Sequence, residues 1–212
     1  MITDFQTILS SPRAAYAEGL SFFNGAGMLN DALTKLANDL RRHDINYAVI
    51  GAIALNQHGF QRFTTDIDVL MTPEALERFR NTLIALGYRP ALEGAKKKFR
   101  TAENVPIEII TSGEYPGDGL PKPVVFPDPS DFAITIDGVS TITLEKLIEL
   151  KIASGISATD RLKDLADVQE MIKIKPLDEG FADALDPYVR DKFLELLTGV
   201  RSAKNMNEES SF

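Results

Sequence analysis

The sequence predicts an α/β (α+β) fold, in which strands and helices alternate up to about residue 140 and only helices follow. Two observations predict it. Short apolar runs that end at glycine, typical of strands, precede segments with apolar residues every three or four positions, typical of helices. After residue 143 only the helical spacing occurs. With 212 residues, the chain is long enough for one domain with an appended subdomain.

The chain is acidic, with a formal net charge of −8. This charge argues against extended contact with a nucleic-acid backbone, because such contact needs many lysines and arginines. The lack of cysteine excludes disulfides and thiolate zinc sites. Residues 1–5 lack the regions of a signal peptide, and no apolar run is long enough for a membrane helix. We therefore expect a cytoplasmic protein that does not enter a membrane.

The first predicted elements lie between residues 29 and 57. Leucines three and four positions apart predict a surface helix over 29–42. An apolar strand is predicted over 46–50, because the run ends at Gly51. A short helix is predicted over 52–57. The pattern is strand, glycine, helix.

A second strand is predicted over 65–71, and a helix follows it. Thr72 and Pro73 predict the start of that helix, as a capping residue and a first-turn proline, and Gly87 predicts its end. Two or three further strands are predicted over 88–111.

Residues 112–130 predict a long loop, because they contain many glycines and prolines. Beyond it the sequence predicts a strand over 132–137 and helices over 143–154, 158–174 and 188–201. The predicted parts are an N-terminal extension (1–28), a core (29–140), a C-terminal helical part (141–202) and a flexible tail (203–212).

Two carboxylates are predicted to leave the same face of the second strand. Side chains alternate along a strand, so Asp66 and Asp68 share one face while Ile67 and Val69 face the core. Such a pair is by itself a weak signal, since exposed acids alternate with core residues on many strands. Glu108 lies between two isoleucines on another predicted strand. If these strands are neighbours, three carboxylates converge, and magnesium is the cation that fits them best.

Lys151 lies in the middle of an apolar helix stripe, beside Leu147 and Ile148. Two interpretations are open: its stem covers the core while its ammonium reaches water, or the ammonium points into a cleft and holds phosphate oxygens. Asp164 and Asp167 fall away from the stripe of their own helix, where surface ion pairs explain them.

A small basic cluster, Lys96, Lys97, Lys98 and Arg100, lies near a predicted turn. It is typical of a solvated turn, although in an acidic chain it could also steer a polyanion. The sequence contains no Walker loop, no Gly-x-Ser-x-Gly elbow and no Gly-x-Gly-x-x-Gly fingerprint, which excludes the common P-loop, hydrolase and dinucleotide-binding classes.

Residues 51–68 together resemble the signature of the nucleotidyltransferase superfamily. The resemblance rests on Gly51 and Ala52 before a short helix, on Arg62 and Thr65, and on the Asp66-Ile67-Asp68 triplet. The branch it resembles comprises stand-alone bacterial proteins grouped with AbiEii-type toxins and minimal nucleotidyltransferases, and the similarity extends over about residues 29–174. It implies a nucleotidyltransferase-like mixed sheet flanked by helices, with a C-terminal helical subdomain.

The resemblance also implies roles for individual residues. Asp66, Asp68 and Glu108 would be the catalytic metal ligands of a two-metal Mg²⁺ site, with Mn²⁺ as an alternative ion. Lys151 would contact the phosphates, and Asp164 or Asp167 would hold it in place. The residues implied in nucleotide binding are Gly51, Ala52, Arg62, Thr65, Lys151, Asp164 and Asp167.

The implied activity is transfer of a nucleoside monophosphate from a nucleoside triphosphate, such as ATP, to an acceptor hydroxyl. The acceptor would be an RNA such as a transfer RNA, a protein or a small molecule. The branch also implies a toxin of a toxin–antitoxin or abortive-infection system, with an antitoxin as partner.

One position departs from the family pattern. The family commonly has glycine followed by serine or glycine, whereas Ala52 stands here. The alternative is therefore an impaired nucleotide-binding or partner-binding module with the same fold. Two other enzyme classes also use Asp-x-Asp. If the protein were a nucleotide-sugar glycosyltransferase, Glu108 and Lys151 would have no role. An aspartyl-phosphate phosphatase has an apolar strand directly before its Asp-x-Asp pair, whereas residues 63–65 stand here.

Overall fold

The computed structural model describes residues 4–209, with side chains up to residue 204. It divides the chain into two compact units. The first comprises the described residues up to Gln57, Gln61–Ser112 and Pro127–Ile142. The second comprises His58–Phe60, Gly113–Phe126 and the described residues from Thr143 onward.

The first unit contains a sheet and six helices within the described residues. The helices are α1 (Phe5–Leu9), α2 (Pro12–Phe23), α3 (Gly27–Arg42), α4 (Gly51–Gln57), α5 (Pro73–Leu83) and α6 (Pro129–Phe132). The strands are β1 (Ala48–Val49), β2 (Ile67–Met71), β3 (Arg89–Pro90), β4 (Lys98–Arg100), β5 (Pro106–Thr111), β6 (Ala133–Ile136) and β7 (Val139–Ile142).

The seven strands form one mixed sheet, in the order β3-β4-β5-β2-β1-β7-β6. The pairs β2–β5 and β1–β7 are parallel, and the other neighbouring pairs are antiparallel. The prediction of an α/β fold with a mixed sheet and flanking helices is thus confirmed. Because β2 and β5 are direct neighbours, the two acid-bearing strands lie side by side.

One face of this sheet carries the hydrophobic core of the first unit. Along β2 and β5, the buried residues alternate with Asp68 and Glu108, which are half-buried. The amphipathic helices α3 and α5 contribute leucines and a phenylalanine to the same core. The core residues of these four elements are Ile67, Val69, Met71, Ile107, Ile109, Leu29, Leu33, Leu36, Leu40, Leu76, Phe79 and Leu83. The acids therefore lie on the face opposite to this core.

The N-terminal residues are part of the first unit, which differs from the predicted extension over 1–28. Phe5 of α1 and Phe22 of α2 are buried in the core of the unit. Glu18, also buried, accepts a hydrogen bond from the Leu29 amide at 2.9 Å. This bond satisfies an N–H group in the first turn of α3. Residues 1–3 lie outside the described part of the chain.

Most predicted elements of the first unit are present, with shifted ends. Thr72 caps α5, as predicted, because its hydroxyl accepts the Ala75 amide at 3.1 Å. The strand predicted over 65–71 starts later, at Ile67, and the strand predicted over 46–50 is reduced to β1. Strand β7 was not predicted, since four residues between a turn and a helix give little periodicity.

The second unit contains three longer helices that pack against one another, α7 (Leu144–Ser157), α8 (Leu162–Ile174) and α9 (Pro187–Glu209). Their buried apolar residues include Ile148, Ile152, Val168, Met171 and Phe193. Helix α9 runs beyond its predicted end at 201, so residues 203–209, expected as a flexible tail, are helical; 210–212 lie outside the described residues. In the described part of the chain, no helix has the length and apolar character needed to span a bilayer.

Candidate active site

The first component of the candidate site is the pair of carboxylates at the start of β2. Asp66 directly precedes the strand and Asp68 is its second residue. Within the strand, buried Ile67 and Val69 lie on either side of half-buried Asp68, as the alternation predicts, whereas Asp66 lies before the strand. The hydroxyl of Thr64 donates a hydrogen bond to Asp66 Oδ1 at 2.5 Å, which fixes the orientation of that carboxylate.

The second component is Gly51, which packs directly against Asp68. Gly51 has a φ of +66°, a conformation that favours glycine. A Cβ atom at this position would lie 2.1 Å from Asp68 Oδ2, which is far inside van der Waals contact. The amide of Ile50 donates to the Asp68 carbonyl at 3.0 Å. Strand β2 and the start of α4 are thus joined where the Asp68 carboxylate lies, and only glycine fits there.

Glu108 is the third predicted acid, and the structure places it beside Asp68. The two residues are register partners on the parallel strands β2 and β5. On its other side Glu108 is the register partner of Lys98 on β4, and Lys98 Nζ lies 3.1 Å from Glu108 Oε2. Asp68, Glu108 and Lys98 therefore form one row across a single face of the sheet.

Asn56 contributes to the candidate site, although no pattern in the sequence indicated this residue. Its side-chain amide donates to the carbonyl oxygens of Ala52, at 2.8 Å, and of Arg62, at 2.6 Å. Its side-chain oxygen accepts the Arg62 amide at 2.9 Å. Asn56 thereby ties the backbone at Arg62, four residues before Asp66, to α4.

The remaining predicted nucleotide-binding residues of the first unit differ in exposure. Ala52 is buried, Arg62 is half-buried and Thr65 is exposed. Thr65 is therefore accessible to a ligand, whereas the side chain of Ala52 is buried.

Lys151 lies in the second unit, buried within α7. Its ammonium donates to Asp164 Oδ1 at 2.9 Å and to Asp167 Oδ2 at 2.7 Å. Both aspartates lie on α8 and are buried, so the prediction that they lie on a helix surface is wrong. The reason is that Lys151 supplies their counter-charge from the neighbouring helix. The same contacts exclude the interpretation in which the ammonium reaches water.

Two further side chains complete this cluster around Asp164. Its second oxygen accepts the Ser154 hydroxyl at 2.8 Å and Arg161 Nε at 2.9 Å. Burial pushes the pKa of Asp164 upward, but Lys151, Ser154 and Arg161 together outweigh it and hold the pKa below its ordinary value. Asp164 is therefore ionised at neutral pH. The arrangement is a closed ion-pair network that joins α7 to α8.

The donor chemistry at the start of β2 fits a divalent cation with oxygen ligands. Mg²⁺ is commonly bound by one or two protein carboxylates together with substrate phosphates. Asp66 and Asp68 provide two such carboxylates, two positions apart in the chain. Among the side chains that the structure describes, up to residue 204, no three acids, histidines or cysteines are grouped so as to hold a metal ion, and Glu108 is paired with Lys98. The predicted triad is thus adjacent in register but not assembled.

No family model and no curated protein matches the chain. Among solved structures, it is similar to a proposed nucleotidyltransferase of Thermotoga maritima (17% identity, TM-score 0.46, covering 64% of this chain and 89% of the other). It is also similar to an antigenic nucleotidyltransferase-like protein of Paracoccidioides brasiliensis (15%, 0.45, 68% and 75%) and to ANT(2″)-Ia in complex with adenylyl-2″-tobramycin (13%, 0.44, 82% and 95%).

The first of these is described as a proposed nucleotidyltransferase and the second as nucleotidyltransferase-like. At such identities a likeness bears on the fold alone, and a fold hosts many activities. The chemistry of this chain is therefore argued from its own side chains.

Proposed function

We propose that the protein is a metal-dependent nucleotidyltransferase, which moves a nucleoside monophosphate from a nucleoside triphosphate to an acceptor hydroxyl. The observation that carries the proposal is the pair Asp66 and Asp68 at the start of β2, beside a glycine turn that admits no side chain. Both carboxylates are half-buried and held by neighbouring groups, Asp66 by the Thr64 hydroxyl and Asp68 by packing against Gly51, an arrangement that suits metal ligands. The sequence resemblance of residues 51–68 supports the same assignment.

In this reaction the acceptor oxygen forms a bond to the α-phosphorus of the nucleotide. The bond between that phosphorus and the oxygen that links it to the β-phosphate breaks. Pyrophosphate leaves and the acceptor loses its hydroxyl proton. Asp66 and Asp68 would hold Mg²⁺, or Mn²⁺ in its place, and Glu108 would complete a second metal site. The bound metal would neutralise phosphate charge and lower the pKa of the acceptor hydroxyl. Thr64 and Gly51 keep the two aspartates in position for this task.

The finer assignment is part of the proposal. The resemblance of the sequence implies three further points. They are membership of the AbiEii-type toxin branch, an antitoxin as partner, and an RNA, a protein or a small molecule as acceptor. Contact of Lys151 with the phosphates likewise stays a prediction, since its ammonium is held by Asp164 and Asp167 in the structure.

We expect the double variant Asp66→Asn, Asp68→Asn to lose nucleotidyl transfer by at least roughly 100-fold, because the amides remove two metal ligands and two charges. The assay follows label from each α-labelled nucleoside triphosphate, with Mg²⁺, into separated RNA, protein and metabolite fractions of a cell extract. Asp31→Asn is the matched control, because Asp31 is exposed on α3 and the change removes a charge of the same kind. Equal transfer by the double variant and the native chain would overturn the proposal, provided that both unfold at similar temperatures.

A second candidate function is suggested by Ala52. The second residue of α4 presents a buried methyl group, where the family commonly has a serine hydroxyl or bare backbone. If this change has removed turnover, the protein would bind a nucleotide or a protein partner without transfer.

Ala52→Ser distinguishes the two candidates. If Ala52 limits activity, we expect roughly a three- to ten-fold tighter binding of nucleoside triphosphate and a gain of transfer, because one added hydroxyl contributes about one hydrogen bond. Binding is measured by calorimetry and transfer by the labelling assay, with Ala54→Ser, a buried alanine in the same helix, as control. If the native chain transfers nucleotide and Ala52→Ser does not change this activity, the candidate function of an impaired binding module is excluded.

A further inference from the structure

Glu108 has two register partners of opposite charge, Asp68 on β2 and Lys98 on β4. All three side chains leave the same face of the sheet, because laterally paired residues share a face. In the structure Glu108 is paired with Lys98, at 3.1 Å, and the three acids are not assembled as a metal site within the described residues.

The ion pair between Lys98 and Glu108 is of the kind that opens easily. The side chain of Lys98 is 64% exposed and that of Glu108 is 43% exposed. Exposed pairs of this kind are weak, because water screens the attraction and two flexible side chains must be ordered. A divalent cation, with twice the charge and direct coordination, can therefore displace the ammonium from the carboxylate.

We propose that Lys98 is a built-in competitor for the metal ion, which holds Glu108 when the ion is absent and must release Glu108 before the acid can become a ligand. This inference rests on the proposed function, and it assigns a task to one member of the basic cluster over 96–100. Lys98 thus lowers the affinity of the empty protein for the divalent ion.

The consequence is a coupling between metal binding and nucleotide binding. Without nucleotide, the ion must displace Lys98 with the help of the protein carboxylates alone. With nucleotide, phosphate oxygens add ligands to the ion and also attract the released ammonium. Lys98 therefore weakens binding of the ion alone more than it weakens binding of the ion together with the nucleotide.

The test measures Mn²⁺ binding to the full chain without nucleotide, from the electron paramagnetic resonance signal of the free ion. We expect Lys98→Met to bind Mn²⁺ roughly three- to ten-fold more tightly than the native chain, since a competing charge is removed. Lys98→Arg, which keeps the charge and the pair, should bind like the native chain. Lys96→Met is the matched control, because Lys96 is exposed on the same hairpin and forms no ion pair with the side chains that the structure describes.

Equal affinity of the native chain and Lys98→Met overturns the inference, and this includes the case in which neither binds Mn²⁺. An equal gain in Lys98→Met and Lys96→Met also overturns it, because net charge alone would then be the cause. The gain in Mn²⁺ affinity should vanish in the double variant Lys98→Met, Glu108→Gln. If it persists there, Lys98 does not act by holding Glu108. If Lys98→Met binds Mn²⁺ more tightly but the native chain transfers no nucleotide, the inference about Lys98 is upheld and the proposed activity is excluded.

Discussion

Replacing Lys151 with methionine is expected to lower the free energy of unfolding by about 3–5 kcal/mol, because it leaves two buried carboxylates without their main counter-charge. The side chains of Lys151, Asp164 and Asp167 are each less than 10% exposed, so water cannot take the place of the ammonium. Methionine keeps the length of the apolar stem, which limits any loss of packing. Urea unfolding at neutral pH measures the change.

Lys163→Met on α8 is the matched control, because Lys163 is exposed and its replacement should change the free energy of unfolding by less than about 0.5 kcal/mol. The triple variant Lys151→Met, Asp164→Asn, Asp167→Asn should recover part of the loss, since it buries no charge without a partner. If Lys151→Met is no less stable than Lys163→Met, the ion-pair network does not stabilise the second unit.

The same network predicts a pH dependence with a definite sign. In the native chain the pKa of Asp164 is lowered in the folded state, so its stabilising contribution is present above the ordinary value of 3.8 and is lost as the pH falls below it. In Lys151→Met, burial without the ammonium raises the pKa of Asp164, and protonation then favours the folded state. The difference in stability between the two proteins should therefore be largest at neutral pH and should narrow on acidification.

Gly51→Ala is expected to destabilise the protein and to remove nucleotidyl transfer together. The positive φ alone costs a non-glycine residue about 1–2 kcal/mol. The added Cβ would also lie 2.1 Å from Asp68 Oδ2, and moving that carboxylate or the turn should cost about 1–3 kcal/mol more. Denaturant unfolding measures the sum, and the labelling assay reports whether Asp68 has been displaced.

Gly25→Ala separates the two contributions. Gly25 has nearly the same φ, +69°, but no atom lies within 4 Å of the position that its Cβ would occupy. It should therefore show the backbone cost alone and keep full transfer activity. Equal effects of the two substitutions on stability and on transfer would contradict a steric role for Gly51 beside Asp68.

Local patterns predicted those parts of the structure that local interactions determine. The alternation of isoleucine and valine with Asp66 and Asp68 identified the strand and its polar face, and Thr72 and Pro73 identified the start of α5. In each case the reason is contained within a few residues, as side-chain alternation or as a helix cap.

The parts that local patterns missed depend on neighbours distant in sequence. The pair between Lys98 and Glu108 exists because β4 lies next to β5, which no spacing within either strand reveals. Asp167 was assigned to a helix surface because it falls away from the apolar stripe of its own helix, but Lys151, which pairs with it, lies on α7. Polar residues are buried where a second element neutralises them, so burial of such residues requires the tertiary structure.

The bonds from Asn56 have a consequence for ligand affinity. They fix the backbone at Arg62, and Thr64 fixes the carboxylate of Asp66 soon afterwards. The conformational entropy of this irregular segment is therefore lost when the chain folds, and not when a ligand binds. A ligand of Asp66 would meet a carboxylate that is already ordered. Its binding free energy would therefore not include the entropic cost of ordering this segment. Rigidity outside the regular elements thus contributes to affinity without any contact to the ligand.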